Sequence, residues 1–181
     1  DTELILFLDD DNIPSDFYLE KVIEIARDYP NLGVWGAGSI KPKYEQAPRS
    51  EVIPYVRFLA LRTVDADIWK NQPREGPLPW GAGLVVRKDI ANQYAENTSQ
   101  CKIRSSLGRK GKSLLSCEDD EFSWTATVCG LGFGIFKELS LTHLIPKERI
   151  QPNYVERIAH GNGFSCALSA HIHNSKLDNP F

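Results

Sequence analysis

The stretch ILFLDDDNIPSDF (residues 5–17) decides the fold. An apolar run from Leu4 to Leu8 leads directly into three consecutive aspartates, and helical spacing begins a few residues later. A continuous apolar run predicts a strand buried on both faces, which is typical of a parallel or mixed sheet. Ligands of open α/β sheets bind beyond the carboxyl ends of strands. The sequence places Asp9, Asp10 and Asp11 at such an end.

Strand and helix patterns alternate along most of the 181 residues, which predicts one α/β domain with a mixed, mostly parallel sheet flanked by helices. Further strands are expected at 34–40, 84–86, 133–136 and 139–144. Helices are expected at 19–26, 51–69, 89–96 and 118–129. The segment 154–173 is expected to be helical with an interruption near its glycines at 161 and 163.

Composition excludes several classes of protein. A net charge of -3 argues against nonspecific binding of nucleic acid, so we expect no nucleic-acid partner. The four cysteines are far apart and form no CxxC pair, which predicts free thiols in a reducing, cytoplasmic compartment. No apolar run approaches the roughly 18 residues of a membrane span. The chain lacks an initial Met and a signal peptide, and it opens almost directly on a strand, which suggests a piece of a longer protein.

The aspartate triplet suits a divalent cation. Successive side chains of an extended chain point opposite ways, so Asp9 and Asp11 share a side. Two close carboxylates repel each other unless a cation lies between them. Mg²⁺ or Mn²⁺ would accept one or two of these oxygens and complete its shell with water and phosphate oxygens. The alternative is a helix cap with solvated acids in a turn.

The longer stretch ILFLDDDNIPSDFYLEKV (residues 5–22) resembles the central strand, DxD motif and following helix of family-2 glycosyltransferases, which have the A-type nucleotide-sugar transferase fold. In that family the DxD acids hold the divalent cation and the diphosphate and ribose of the sugar nucleotide. The resemblance implies that Asp11 is a metal ligand. It implies that Asp9 contacts the ribose or the sugar and that Asp10 makes a supporting contact.

A second acidic group occurs in SCEDDEFSWTATVCGLGF (residues 116–133), at the start of a predicted helix. Negative charge at a helix N-terminus is favoured by the helix dipole, by about 0.3–1 kcal/mol, and that alone would explain it. The stretch also resembles the family's ED motif, an acid of which is the general base in inverting members. The resemblance implies that Asp119 is this base, with Asp120 as the alternative, and that Glu118 orients the acceptor.

The stretch LPWGAGLVVRKDI (residues 78–90) resembles the family's turn of small residues on the acceptor side. Small residues such as Gly81 and Ala82 allow a sugar to approach the backbone closely. Trp80 is interpreted either as a platform for a sugar ring or as a core residue beside a tight turn.

Cationic and imidazole groups supply further candidates. The segment 102–112 contains the basic residues Lys102, Arg104, Arg109, Lys110 and Lys112. This segment is either a mobile loop that closes over a diphosphate or lipid-linked phosphate, or a solvated surface loop. His143 is either a metal or diphosphate ligand, as the resemblance implies, or a structural residue. Arg149 is a candidate for neutralising the leaving diphosphate.

The resemblance implies an inverting glycosyltransferase that uses Mn²⁺ or Mg²⁺ and moves a sugar from a nucleotide-diphosphate donor to the hydroxyl of a glycan or lipid-linked acceptor. Bacterial surface polysaccharide synthesis, in the cytoplasm or at the inner face of the membrane, is the expected setting. Residues 1–181 would be the C-terminal portion of the catalytic domain, without the first strand of the VSVIIPTYN type and the base pocket. The piece is therefore expected to be inactive alone or to associate through the exposed edges of its sheet.

Two other functions remain open at this point. A haloacid-dehalogenase-like phosphatase would use Asp9 as nucleophile and Asp11 as acid and base, although the later lysine and acidic motif of that family are not found. A non-catalytic glycan-binding or assembly module would use the same acids only for structure.

Overall fold

The computed structural model describes residues 3–109, 111 and 113–174. Its strands and helices alternate along the chain. The strands are β1 (Leu4–Phe7), β2 (Asn12–Pro14), β3 (Leu32–Tyr44), β4 (Arg62–Thr63), β5 (Ile68–Lys70), β6 (Leu84–Arg87) and β7 (Gly132–Ile145). The α-helices are α1 (Tyr18–Asp28), α2 (Lys88–Gln100), α3 (Asp120–Val128) and α4 (Pro152–Ile172). Three short 3₁₀ turns cover Ile53–Leu59, Arg104–Ser106 and Lys147–Ile150.

The strands form one seven-stranded mixed sheet with the order β1-β6-β3-β7-β2, in which β4 pairs with β3 and β5 pairs with β7. The predicted α/β class with a mixed sheet and flanking helices is confirmed. A mostly parallel sheet is not confirmed, because only β3 and β7 pair in parallel among the described strands. The physical reason is the position of β6. It runs antiparallel between β1 and β3, which share one direction, and so separates them.

The helices cover both faces of the sheet. Helix α1 places Tyr18, Val22 and Ile25 on one face, in a cluster with Trp35 and Leu139. Helices α2 and α3 cover the opposite face, where a second cluster joins both helices to the central strands. Its members are Val34, Leu84, Val86, Ile90, Phe122, Ala126 and Phe133. A third cluster packs α4 and the 3₁₀ turns against the end of β7. None of the four described helices combines the length and the apolarity that a bilayer crossing requires.

Strand β1 differs from its prediction. The expected burial on both faces is wrong, since Leu4 to Leu6 are half-buried and Phe7 is 38% exposed. The strand lies at one edge of the described sheet and pairs only with β6 there.

Two helix predictions were also wrong. The expected helix 51–69 is a 3₁₀ turn that ends at Ala60 with a left-handed φ of 54°, followed by β4 and β5. Pairing of these short strands with β3 and β7 outweighs helical propensity, as tertiary context often does. The expected interruption of α4 is absent. Gly161 is used for packing, because a Cβ there would collide with the Leu114 carbonyl.

We predict that Gly83→Ala destabilises the fold strongly. Gly83 has a φ of 75°, and an added Cβ would meet the Tyr18 hydroxyl and the Leu141 side chain. The left-handed conformation costs about 1–2 kcal/mol, and overpacking adds about 1–3 kcal/mol. Gly130→Ala is the matched control, because its φ is 79° but nothing lies within 4 Å of the added Cβ. Urea unfolding should show the larger loss for Gly83→Ala, and equal losses would contradict this packing argument.

Candidate active site

One cavity of about 650 Å³ lies at the edge of the sheet where β1 and β7 end and where β6 and α3 begin. We call it the acidic cleft. The residues that the sequence assigned to catalysis, to donor or acceptor binding and to the metal all line it. They are Asp9, Asp10, Asp11, Trp80, Gly81, Ala82, Glu118, Asp119, Asp120, His143 and Arg149. The two acidic motifs, more than a hundred residues apart, thus share one space.

Asp11 is held by its pairing with β7. Its carbonyl accepts from Leu144 N at 2.8 Å, and its neighbour Asn12 stands opposite His143 in the β2–β7 register. In the side chain, Oδ2 lies 2.6 Å from Arg149 Nη1 and 3.4 Å from His143 Nε2. Oδ1 accepts from Asn12 Nδ2 at 2.9 Å. A cationic group and an imidazole therefore converge on one carboxylate.

The donor atoms around Asp11 bear on a metal site. Among the described residues, no group of three or more histidine, cysteine, aspartate or glutamate side chains stands in metal-binding geometry. Asp11 and His143 nevertheless bring two ligand types together, and His143 Nδ1 is buried without a hydrogen-bond partner in the described structure. Asp9 and Asp10 are exposed at the rim of the same cleft. This donor set suits a cation whose remaining ligands come from a substrate and water.

Asp119 caps α3 and ties it to the loop before β6. Its Oδ1 accepts from Asp120 N at 3.1 Å, and its Oδ2 accepts from Gly81 N at 2.7 Å. The helix thus begins at Asp120, two residues later than predicted, and Asp119 is its N-cap. The same two hydrogen bonds fix the orientation of the Asp119 carboxylate inside the cleft.

Burial makes the second acidic group hard to ionise. It raises the pKa of Asp119, against the backbone hydrogen bonds and the Arg62 charge, which lower it. Burial also raises the pKa of Asp120 well above its ordinary value, and the neighbouring Asp119 charge adds to the effect. The pKa of Glu118 is raised by burial and then by Asp119. Clustered acids with raised pKa values are typical of sites that accept or donate protons.

Arg62 is a site residue that the sequence reasoning missed. Its guanidinium lies 3.6 Å from the centroid of the Trp80 ring, and its Nη2 donates to the Leu78 carbonyl at 2.8 Å. Burial lowers its pKa to about 10, opposed by the charges of Asp119 and Asp120. Because residues 51–69 were predicted to be helical, nothing in the sequence pointed Arg62 towards these acids.

Trp80 lies between the core and the cleft. It packs against the core cluster of α1 and also lines the acidic cleft. Since Arg62 stacks on its ring, that stacked surface is not free for a sugar.

Helix α4 contributes a wall of the cleft that the sequence reasoning also missed. Tyr154, Asn162, Gly163 and Cys166 line the cavity from this helix. From the segment before α3, Cys117 lines the same cleft with a left-handed φ of 69°, which is costly for a residue other than glycine. The spacing of these α4 residues follows one helical face, but the expected helix break obscured that pattern.

The basic segment divides between two roles. Arg109 lines the cleft, where its charge favours ionised Glu118. Arg104 instead donates from Nε to Glu121 Oε2 at 2.9 Å, and His173 Nε2 contacts the other oxygen of Glu121 at 2.6 Å. The His173 ring stacks on Trp124 at 3.9 Å, so this ion cluster is packed against α3. Lys102 is exposed, and Lys110 and Lys112 lie outside the described residues.

The chain was compared with protein-family models and with curated proteins, and no match was found in either comparison.

We predict that Asp120→Asn stabilises the protein at alkaline pH. A carboxyl whose folded pKa exceeds the unfolded value of about 3.9 keeps its proton in the folded state after the unfolded chain has lost it. The free energy of unfolding then falls as pH rises through that interval. Asparagine removes this loss. The melting temperature of the variant at pH 8 should therefore exceed that of the wild type, by about 2–4 °C for each kcal/mol gained in the free energy of unfolding.

The gap in melting temperature should shrink as the pH falls below the unfolded pKa of about 3.9, where the wild-type carboxyl becomes protonated in both states. Asp16→Asn is the control, because Asp16 is exposed and outside the lining of the cleft. A gap that does not change with pH would contradict the burial argument.

We also predict that Glu121→Gln is strongly destabilising. Glu121 is 3% exposed and contacts both Arg104 and His173. Removing one partner from a buried charge cluster costs about 3–5 kcal/mol. Glu138→Gln, which removes an exposed pair to Lys21, should change the urea midpoint little. Equal urea midpoints for the two variants would show that the contacts of Glu121 with Arg104 and His173 do not stabilise the fold.

Proposed function

We propose that the protein is an inverting, metal-dependent glycosyltransferase whose catalytic domain has the A-type nucleotide-sugar transferase fold, and that residues 1–181 form part of that domain. The observation that carries the proposal is the acidic cleft. Two acidic motifs from distant parts of the chain line it together with an arginine, a histidine and a tryptophan. Its volume of about 650 Å³ suits a small-molecule substrate.

The proposed reaction is a single displacement. Asp119 accepts the proton of the acceptor hydroxyl as that oxygen forms a bond to the anomeric carbon, and the bond from that carbon to the diphosphate breaks. A general base requires a fixed position and a pKa near the working pH. The hydrogen bonds from Gly81 N and Asp120 N support the first requirement, and the raised pKa supports the second. Asp120 is the alternative base, and Glu118 orients the acceptor.

The donor side of the cleft is assigned to the first motif. Asp9 contacts the ribose or the sugar, Asp10 makes a supporting contact, and Arg149 neutralises the diphosphate. Asp11 and His143 would hold Mn²⁺ or Mg²⁺, a carboxylate and imidazole set that suits Mn²⁺ better. When bound, the cation supplies electrostatic stabilisation of the leaving diphosphate. Arg149 already lies 2.6 Å from Asp11, so a diphosphate would exchange one anionic partner of this arginine for another.

The acceptor side is assigned to Trp80, Gly81 and Ala82, which face α4 across the cleft. We propose a glycan or lipid-linked hydroxyl as acceptor, in the synthesis of bacterial surface polysaccharide. Arg109, at the mouth of the same cleft, would contact a phosphate of either substrate.

The two alternative functions have less support. A phosphatase of the haloacid-dehalogenase type needs a lysine beside its aspartates, and no lysine lines the cleft among the described residues. A module with purely structural acids would not need three carboxyl groups with raised pKa values facing one cavity.

We predict that the melting temperature rises with one class of nucleotide sugar and that Mn²⁺ enhances the rise. The screen is run on the complete catalytic domain, because the proposal places the base pocket outside residues 1–181. It uses UDP-, GDP- and dTDP-sugars, with and without MnCl₂. Asp11→Ala should abolish the enhancement by Mn²⁺. Asp119→Asn should keep the shift while turnover falls by about 10²–10⁴-fold, the usual contribution of a general base.

Asp16→Ala is the matched control, because this exposed aspartate follows the first motif but does not line the cleft. It should behave like the wild type in both assays. If no nucleotide sugar shifts the melting temperature, or if Asp119→Asn and Asp120→Asn both retain full turnover, the proposed function is wrong.

A further inference from the structure

Helix α4 and the segment before α3 are docked closely enough to bring two cysteines together. Ser116 N donates to Ser165 Oγ at 2.9 Å, and Ser116 Oγ donates to Asn162 Oδ1 at 3.0 Å. Next to the first of these contacts, Cys117 and Cys166 follow Ser116 and Ser165 in the chain. Both cysteines line the acidic cleft, and each thiol is close enough to shift the pKa of the other.

The environment of the two thiols is unequal. Cys117 is 7% exposed, and its pKa is raised by the hydrogen bond to Cys166 and by burial. Cys166 is half-buried, and the hydrogen bond from Cys117 lowers its pKa to about 7. A partly ionised, accessible thiol beside a second thiol is the arrangement of an attacking and a resolving cysteine. The cleft gives a small oxidant a route to Cys166.

We propose that Cys117 and Cys166 form a redox-responsive dithiol that closes reversibly to a disulfide in the wall of the acidic cleft. The oxidant is a small disulfide such as oxidised glutathione. The Cys166 thiolate attacks one sulfur of glutathione disulfide, and one glutathione thiolate leaves. The Cys117 thiol then loses its proton and attacks Cys166 Sγ, and the second glutathione leaves as thiolate. The protein loses two electrons and two protons, and one glutathione disulfide becomes two glutathiones.

The disulfide would act on the second acidic group, and this step rests on the proposed function. The Cys117 thiol acts as a donor that lowers the pKa of the Asp120 carboxyl. A disulfide sulfur carries no proton, so oxidation removes that donor from the cleft. The disulfide also ties Cys117, the residue before Glu118, covalently to α4. Turnover should therefore fall roughly tenfold on oxidation, the effect of losing one hydrogen bond to a charged group.

The test equilibrates the whole protein with oxidised glutathione, denatures it and alkylates the remaining thiols. The reduced protein should show four alkylated cysteines, since the chain has four. The oxidised protein should show two, with one disulfide peptide joining Cys117 to Cys166. Reduction with dithiothreitol should restore four. Four thiols after oxidation, glutathione left on Cys166, or a disulfide that uses Cys101 or Cys129 would overturn the dithiol.

Variants test the link to the site. Cys117→Ser cannot form the bond but keeps a hydroxyl donor, so its turnover of the nucleotide sugar found by thermal shift should not respond to oxidised glutathione. Cys129→Ser removes an exposed thiol that does not line the cleft, and it should respond like the wild type. A mapped disulfide with unchanged turnover would overturn the regulatory step. If the reduced protein turns over no nucleotide sugar, the proposed function fails, and the thiol count alone decides the dithiol.

Discussion

The parallel pairing of β3 with β7, from Leu32 opposite Gly132 to Tyr44 opposite Ile145, positions every part of the acidic cleft. Strand β2, next to the aspartate triplet, pairs with the far side of β7. Strand β6, which follows the Gly81 turn, pairs with β3, and β1 pairs with β6. Because β6 runs antiparallel to its neighbours, its first residues lie at the same edge as the last residues of β1. The Gly81 turn therefore lies at the same edge as the aspartate triplet, and its hydrogen bond to Asp119 ties the second acidic motif to it.

The cleft that results is electrostatically costly. Three carboxyl groups of the second motif are partly withdrawn from water, and their pKa values are raised. Two cations offset part of this cost, since Arg62 lowers the pKa of Asp119 and Arg109 lowers the pKa of Glu118. Arg62 is itself buried, with Nη1 lacking a hydrogen-bond partner in the described structure. Such an arrangement weakens the folded state at neutral pH, which is common where a site is selected for chemistry rather than for stability.

The sequence predicted the elements whose signal is local. The strand ending in aspartates, the helix after Glu118 and Asp119, and the small-residue turn before β6 all lie where the pattern placed them. It did not predict features that depend on tertiary contacts. Residues 51–69 have helical composition, but a two-residue strand there places Arg62 on Trp80 and near the charges of Asp119 and Asp120. Gly161 reads as a helix breaker, yet it allows α4 to approach the segment before the second motif. The pairing of Cys117 with Cys166 depends on that approach, so no spacing rule could reveal it.

The structural and the catalytic interpretations of Asp119 are not alternatives. A free carboxylate at a helix start samples several rotamers, and only some of them face a substrate. Here the hydrogen bonds that cap α3 and hold the Gly81 turn use one lone pair on each oxygen of Asp119. Each carboxylate oxygen can accept more than one hydrogen bond, so the remaining lone pairs stay available. The cap therefore fixes the carboxylate in advance at the edge of the cleft, and fixed orientation is what a general base needs to act without reorganisation.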